Sequence, residues 1–188
     1  MQSLEFFDCN CSFGMRAIVN PGSFYKLEDL TDNMEHCGIK RALVYHSMAR
    51  EYNPMVGNDM LMKEIEGHPS LYPVWVVMPH YTDEFYTPNE LIYNMKSQRV
   101  RAVKMFPSPA DQNYSISDWN CGELFGILSD YNIPLFIGAN QISFDEIYSI
   151  CTAHPNLKLI LTDITYRMDR NLYPLLKRLP NLYIETMG

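Results

Sequence analysis

Acidic, basic, amide and imidazole side chains stand at the ends of several apolar runs, where they could bind an ion or move a proton. In the first run, EFFDCNCSFG, Asp8 and Asn10 would point to the same face of an extended strand, opposite Cys9 and Cys11. The later runs carry, or lead directly into, His46, His80, Lys104, Asn140, Asp163, Arg167 and Glu185. Burial of an unpaired charge is costly, so we interpret these side chains as parts of one polar site.

The residue types suggest a division of roles within this set. The predicted catalytic groups are Asp163, Lys104, His46 and His80. They would activate water or polarise a substrate. The predicted substrate-binding groups are Asn140, Arg167 and Glu185, of which the guanidinium could grip a carboxylate through two parallel hydrogen bonds. Packing explanations stay open: a buried ion pair for the lysine, half-buried structural histidines and a solvated helix start for the arginine.

Short apolar runs recur along the chain and predict seven β-strands that would carry these residues. They cover residues 4–9, 41–46, 71–78, 100–106, 134–138, 157–164 and 182–186. Several of them are almost continuously apolar, which is typical of parallel strands buried on both faces.

Helix signals fall between the predicted strands. Thr87 with Glu90, and Ser143 with Glu146, have the spacing of capping boxes, and Gly38 stands where a helix would end. Three similar corners, HPSLYPVWV, HPNLKLIL and LPNLYIET, each lead from a helix end into a strand. The chain is therefore predicted to repeat a βα unit.

Two α/β architectures accept such repeats, a doubly wound open sheet and a (β/α)8 TIM barrel. No glycine-rich nucleotide-binding loop follows the first strand, which favours the barrel. Eight units at this spacing would need about 240 residues, whereas the chain has 188. We therefore expect a single barrel domain over residues 1–188 with its eighth unit missing, or with another segment or chain covering the gap.

Composition argues against several classes of partner. A formal net charge of -7 and scattered Lys and Arg residues argue against a nucleic-acid-binding surface. No apolar run approaches the roughly 20 residues that cross a bilayer, and the N-terminus lacks the features of a signal peptide. Five cysteines, an odd number, favour reduced thiols. We expect a cytoplasmic protein that binds a small molecule, with homo-oligomerisation as one way to cover an open sheet edge.

The strand motifs together resemble the amidohydrolase superfamily, specifically the amidohydrolase-2 group of TIM-barrel metal-dependent hydrolases and decarboxylases. The most specific segment is HPNLKLILTDIT, which is similar to the family's HPNLKIILAHLG. AVKMFP, with Lys104 and Pro107, is similar to the GVKL-P of the family's fourth strand, and FFDCNCSFG to its hydrophobic-D-x-H-x-H-x-G opening. The resemblance covers nearly the whole chain and implies an active site at the C-terminal ends of the strands.

The family's metal-ligand histidines are all replaced in this sequence. Those of the first strand fall on Asp8 and Asn10 if the glycine is aligned, or on Asn10 and Ser12 if the aspartates are aligned. Those of the fifth and sixth strands fall on Gly138 and Asp163. Members of the family bind a metal at these positions. Oxygen ligands, which suit Mg²⁺, Mn²⁺ or Ca²⁺ better than Zn²⁺, would come here from Asp8, Asn10 and Asp163, with Glu185 as a further candidate. His46 and His80 could add nitrogen ligands.

Two functions from different classes follow from the resemblance and the strand-end residues. The first is an amidohydrolase-like hydrolase, or a decarboxylase, that acts on a small polar or carboxylate molecule and uses either one divalent metal or Lys104 with Asp163. The second is a catalytically inactive relative that keeps the pocket and binds a small molecule.

Overall fold

Seven parallel strands alternate with helices and form one sheet whose strands neighbour each other in chain order. The computed structural model describes residues 4–18 and 21–186. Its strands are β1 (Phe6–Phe13), β2 (Ile39–His46), β3 (Leu71–Val76), β4 (Ala102–Met105), β5 (Leu135–Gly138), β6 (Leu159–Thr162) and β7 (Leu182–Ile184). The predicted seven-stranded βα arrangement is confirmed.

The helices fall between the strands, as the repeated corners predict. They are α1 (Leu27–Cys37), α2 (Ser47–Glu51), α3 (Pro54–Glu64), α4 (Pro88–Ser97), α5 (Asp118–Asp130), α6 (Phe144–Ala153), a 3-10 turn (Tyr166–Met168) and α7 (Asp169–Arg178). None of them, in the part of the chain that the structure describes, is both long enough and apolar enough to cross a membrane.

Local sequence signals account for several helix ends. The Glu90 carboxylate accepts a hydrogen bond from the Thr87 backbone at 2.9 Å and so caps the start of α4. The Glu146 carboxylate accepts one from the Ser143 backbone at 2.7 Å and caps the start of α6 in the same way. Gly38 ends α1 in the left-handed conformation, at φ 74°, which a glycine adopts without the steric cost of a side chain.

The curled sheet buries apolar side chains on both faces. Val103 and Met105 of β4 join the larger cluster, which packs against the helices. The inner face carries a smaller cluster that consists of Tyr45, Ala49, Val74, Val76, Ala102, Phe106 and Phe136. Because strand side chains alternate, Lys104 shares the inner face with Ala102.

The two outer strands of the sheet do not pair with each other among the described residues. β1 pairs with β2 and β7 pairs with β6, both in parallel register. A cleft of about 670 Å³ lies between β1 and β7, lined by the apolar side chains of Phe6, Phe7 and Ile184 and by the polar side chains of Asp8 and Glu185. The curled sheet therefore stays open at this seam.

Candidate active site

Lys104 lies at the centre of the polar set, on the inner face of β4. Its side chain is buried, and its Nζ donates a hydrogen bond to Asn10 Oδ1 at 2.5 Å. The same nitrogen lies 4.9 Å from the ring centroid of Tyr45 and 5.5 Å from that of Phe106. The electron-rich ring faces stabilise the positive charge. In the described residues no carboxylate oxygen comes within salt-bridge distance of this nitrogen.

Asn10 reaches Lys104 because β1 is irregular at this point. The strand continues to Phe13, four residues beyond its predicted end at residue 9, and its register against β2 shifts between Asp8 and Cys11. Asp8 Oδ1 accepts a hydrogen bond from the Asn10 backbone at 2.9 Å, which holds the irregular segment. Such bulges re-aim side chains at strand ends, and here the amide is directed to the ammonium.

Glu185 lies immediately after β7 and faces the same polar set. Its backbone N–H donates to Leu161 O at 2.8 Å, and its Oε2 is buried without a hydrogen-bond partner. Burial raises the pKa of this carboxyl, as do the charges of Asp8 and Asp163, while the Asn10 side chain and Lys104 act in the opposite direction. A carboxyl group with a raised pKa is suited to accept or donate a proton near neutral pH.

Asp163 and Asn140 meet above Gly138, at the ends of β5 and β6. A Cβ at Gly138 would lie 2.6 Å from Asn140 Oδ1 and 2.7 Å from Asp163 Oδ2, so the absent side chain leaves room for both oxygens. Asp163 has a positive φ of 57°, and its Oδ2 accepts a hydrogen bond from Thr162 Oγ1 at 2.9 Å. The structure thus brings Gly138 and Asp163, the two positions that the resemblance aligns with family histidines, to one place beside Asn140.

His46 is placed on the opposite face of β2 from this group. Tyr45 points inward to Lys104, so its neighbour His46 points to the helix layer. Its Nδ1 accepts a hydrogen bond from Met48 N at 3.2 Å, and its Nε2 lies 3.5 Å from Glu64. Burial lowers the pKa of His46. These contacts make it a buried cap of α2.

His80 and Arg167 are not brought to the polar set either. His80 lies on the loop after β3, with its Nε2 3.9 Å from the Glu123 carboxylate of α5. Arg167 is exposed in the 3-10 turn, where its Nε donates to the Tyr166 hydroxyl at 3.3 Å. His80 was predicted from the end of the third strand, which the structure places earlier, at Val76, and Arg167 was predicted from its place just after Asp163.

Arg50 and Asp111 form a second polar group at the same end of the sheet, and the sequence reasoning missed it. Arg50 donates through Nε to Asp111 Oδ1 at 2.6 Å and through Nη2 to Oδ2 at 3.1 Å. Its guanidinium carbon lies 4.7 Å from the Phe106 ring centroid. Its place in the sequence could have indicated it, because Arg50 lies only four residues after the end of β2, on α2.

The predicted metal ligands do not fit a divalent cation. Asn10 Oδ1 accepts from the Lys104 ammonium, and Asp8 Oδ1 accepts from a backbone N–H. A dication bound to Asn10 would therefore meet a buried positive charge in direct contact with its ligand. Among residues 4–18 and 21–186, no group of three His, Cys, Asp or Glu side chains is arranged to hold a metal.

Comparison with known proteins identifies the fold. No protein-family model matches the sequence, and no curated protein matches it. An uncharacterised TIM-barrel protein from Bordetella bronchiseptica matches with a TM-score of 0.64 and 16% identity, over 85% of this chain and 59% of that one. Amidohydrolase 2 from Bifidobacterium longum subsp. infantis matches with 0.63 and 11%, over 99% and 74%. A 2,6-dihydroxybenzoate decarboxylase from Rhizobium matches with 0.60 and 12%, over 95% and 70%.

These likenesses are structural, and the chain spans 59% of the first of these barrels. The shared features are parallel strands in chain order and alternating helices, with the polar set at the C-terminal strand ends where TIM barrels hold their active sites. The chain has a TIM-barrel fold, with seven strands of the barrel present in the part of the chain that the structure describes.

Proposed function

We propose that this protein acts on a small carboxylate-bearing molecule at the C-terminal ends of its strands, as an amidohydrolase-type hydrolase or decarboxylase. The observation that carries the proposal is the buried Lys104 ammonium, which contacts an amide oxygen and two aromatic rings but no carboxylate. A buried cation without a counter-ion provides a binding site for an anionic ligand.

Lys104 and Glu185 supply complementary chemistry for hydrolysis. The Glu185 carboxylate would take a proton from a water molecule, and the water oxygen would attack the substrate carbonyl carbon. The negative charge that develops on the carbonyl oxygen would be stabilised by the Lys104 ammonium. The proton held by Glu185 would then pass to the leaving group as its bond to carbon breaks.

The same two groups are suited to decarboxylation. The carbon–carbon bond to the substrate carboxylate would break, carbon dioxide would leave, and the electron pair would remain on the substrate carbon. Protonated Glu185, whose pKa is raised by burial, would then donate a proton to that carbon. The fold likeness to a 2,6-dihydroxybenzoate decarboxylase supports this choice of reaction class.

The changed metal ligands favour a second candidate, in which the protein binds the carboxylate without turnover. The reactions above would have to draw their positive charge from Lys104 in place of a metal. The two candidates predict the same ligand and differ in the role of Glu185. Glu185→Gln should abolish turnover but leave binding within about threefold if the protein is an enzyme, since it removes proton transfer and keeps the shape.

Binding of acetate, benzoate and 2,6-dihydroxybenzoate, measured by ligand-observed NMR, tests the proposal. We expect at least one of them to bind, and Lys104→Met to weaken it about tenfold or more, because a charge-assisted hydrogen bond is lost. Lys177→Met, at an exposed position on α7, is the matched control and should bind normally. Unchanged binding to folded Lys104→Met, or no binding to the natural chain, would contradict the proposal.

A further inference from the structure

Arg50 is held in one orientation by a network that leaves part of its guanidinium available. Asp111 occupies Nε and Nη2 of Arg50, and the Tyr45 side chain is a further hydrogen-bonding neighbour of the guanidinium. Asp111 Oδ2 also accepts from Gln141 Nε2 at 2.8 Å and from Ser108 Oγ at 3.2 Å. The carboxylate is therefore held by three side chains, and the arginine it orients keeps N–H donors beyond those that Asp111 and Tyr45 engage.

Arg50 lines a cavity at the C-terminal end of the sheet. This cavity has a volume of about 290 Å³ and is lined by the side chains of Arg16, Arg50, Glu51 and Asp111. Arg16 is paired with Glu51 at 2.9 Å, so the second arginine is also fixed in place. A cavity walled by two fixed guanidinium groups is a suitable place for a ligand oxyanion.

Arg50 and Lys104 lie over the same aromatic ring. The Arg50 guanidinium carbon is 4.7 Å from the Phe106 ring centroid, and Lys104 Nζ is 5.5 Å from it. The two positive groups are therefore within the length of one small molecule, and the Tyr45 side chain is a neighbour of both. A single ligand with an anionic group at each end could contact both.

We propose that Arg50 forms a second anion subsite and that the substrate is a dianion, such as a dicarboxylate. The inference rests on the proposed function, in which Lys104 holds the first carboxylate. Arg50 holds the second through N–H donors that Asp111 does not engage, while Asp111 positions Arg50 and does not touch the ligand. Arg50 then determines specificity, because a monocarboxylate would leave the second subsite unfilled.

A purely structural role predicts different behaviour. If the Arg50–Asp111 pair serves only to join α2 to the loop after β4, its removal should lower stability and affect all ligands equally. If Arg50 binds the second anion, its loss should act on dicarboxylates alone. The comparison between ligands of matched length therefore separates the two roles.

The experiment compares glutarate with pentanoate and adipate with hexanoate by isothermal titration calorimetry. We expect the natural chain to bind at least one dicarboxylate about tenfold or more tightly than the monocarboxylate of equal length. The double variant Arg50→Gln/Asp111→Asn keeps a neutral hydrogen-bonded pair and should lose that advantage without weakening the monocarboxylate. Arg50→Lys keeps the positive charge but not the planar guanidinium with its parallel N–H donors, so it should lose most of the dicarboxylate advantage. Arg101→Gln, at an exposed position, is the control.

Each outcome decides between the proposals. Equal binding of the two ligands of a pair to the natural chain, or a full dicarboxylate advantage in folded Arg50→Lys and the double variant, would overturn the second subsite and leave the Lys104 site standing. If no monocarboxylate or dicarboxylate binds, the proposed function fails and this inference fails with it. Thermal unfolding of each variant establishes beforehand that it is folded.

Discussion

Lys104 and Glu185 belong to the same polar set but differ in the contacts that their side chains make. The Lys104 charge is stabilised by one amide oxygen and two aromatic rings, whereas Glu185 Oε2 is buried without a partner. Burial therefore disfavours the charged form of the glutamate, and the nearby carboxylates of Asp8 and Asp163 add to this effect. A cation beside a carboxyl that holds its proton more strongly than usual is the combination that the proposed reactions use.

The raised pKa of Glu185 makes a prediction about stability. Above the ordinary pKa of 4.5 the unfolded chain releases this proton while the folded chain keeps it, so stability falls as the pH rises through the folded pKa. Glu185→Gln removes this loss. We expect the variant to melt about 2 °C higher than the natural chain at pH 7 and at the same temperature near pH 4.

Thermal unfolding followed by circular dichroism between pH 4 and pH 8 measures this difference. Glu66→Gln changes a carboxyl group at an exposed position just after α3 and serves as the control, with the same melting temperature as the natural chain at every pH. A melting temperature of Glu185→Gln below that of the natural chain at pH 7 would mean that the ionised carboxylate stabilises the fold, contrary to the expectation.

At the scale of elements, the two faces of β2 have different roles: one directs Tyr45 to Lys104, and the other directs His46 to the helices. Tyr45 lies against Lys104, whereas His46 caps α2 and packs edge-on against Phe13 at 5.2 Å. The position of His46 at the end of a strand therefore serves the start of the next helix. That helix carries Arg50. His46 therefore affects the proposed second anion subsite only by fixing the position of α2.

His46→Ala should destabilise the chain by about 3 kcal/mol, because it removes a helix cap and leaves a cavity in a buried site. Burial lowers the pKa of His46, so the natural chain should also lose stability as the pH falls below 6.5, and the variant should lack this component. Urea unfolding at pH 5 and pH 8 measures both effects. His68→Ala, at an exposed position, is the control. A folded His46→Ala that has lost turnover at unchanged stability would instead support the catalytic prediction.

The position of α2 depends on close contact with α3. A Cβ added at Gly57 of α3 would lie 2.0 Å from the backbone nitrogen of Ala49 in α2, so the two helices touch at a glycine. Because backbone cannot move aside as a flexible side chain can, a larger residue would push α2, and Arg50 with it, out of place.

Gly57→Ala should therefore lower the free energy of unfolding by about 3 kcal/mol and reduce the dicarboxylate advantage that is attributed to Arg50. Gly126→Ala is the matched control, since its Cβ would meet nothing within 4 Å on α5. That variant should gain up to about 1 kcal/mol from the better helix propensity of alanine. Equal stabilities of the two variants would show that α2 and α3 are not packed as described.

At the scale of the whole molecule, the seam between β1 and β7 is the most unusual feature. Both edge strands present unpaired backbone groups, and apolar side chains line the cleft between them. Phe6 is 55% exposed, Phe7 is 49% exposed and Ile184 is 37% exposed. Open edges with exposed apolar residues favour pairing with another chain.

We propose that the chain self-associates through this seam. Sedimentation velocity at increasing protein concentration should show a growing population of dimers or larger species. The double variant Phe6→Lys/Ile184→Lys places charges on both edges and should shift this population to monomer. Trp119→Lys, which alters a side chain that is 75% exposed at the start of α5, should not. A natural chain that stays monomeric over the whole concentration range would contradict the proposal.

Local patterns alone predict much of the fold. The capping pairs Thr87 with Glu90 and Ser143 with Glu146 act over three residues, and the apolar runs mark all seven strands. Alternation along β4 also indicates that Lys104 shares a face with Ala102. These features depend on neighbours in the chain, so their physical cause is contained in short segments.

The arrangement of the site depends instead on how distant segments pack. The contact between Asn10 and Lys104 joins residues 94 positions apart, and that between Arg50 and Asp111 joins residues 61 apart. An irregular register in β1 decides where Asn10 points, and the face of β2 on which His46 falls decides that it caps a helix. The sequence by itself determined the seven βα strands and the residue types near their ends, and it favoured the barrel order over an open sheet. Only the tertiary structure decided which of these residues meet, because side-chain direction and register are set by packing between elements.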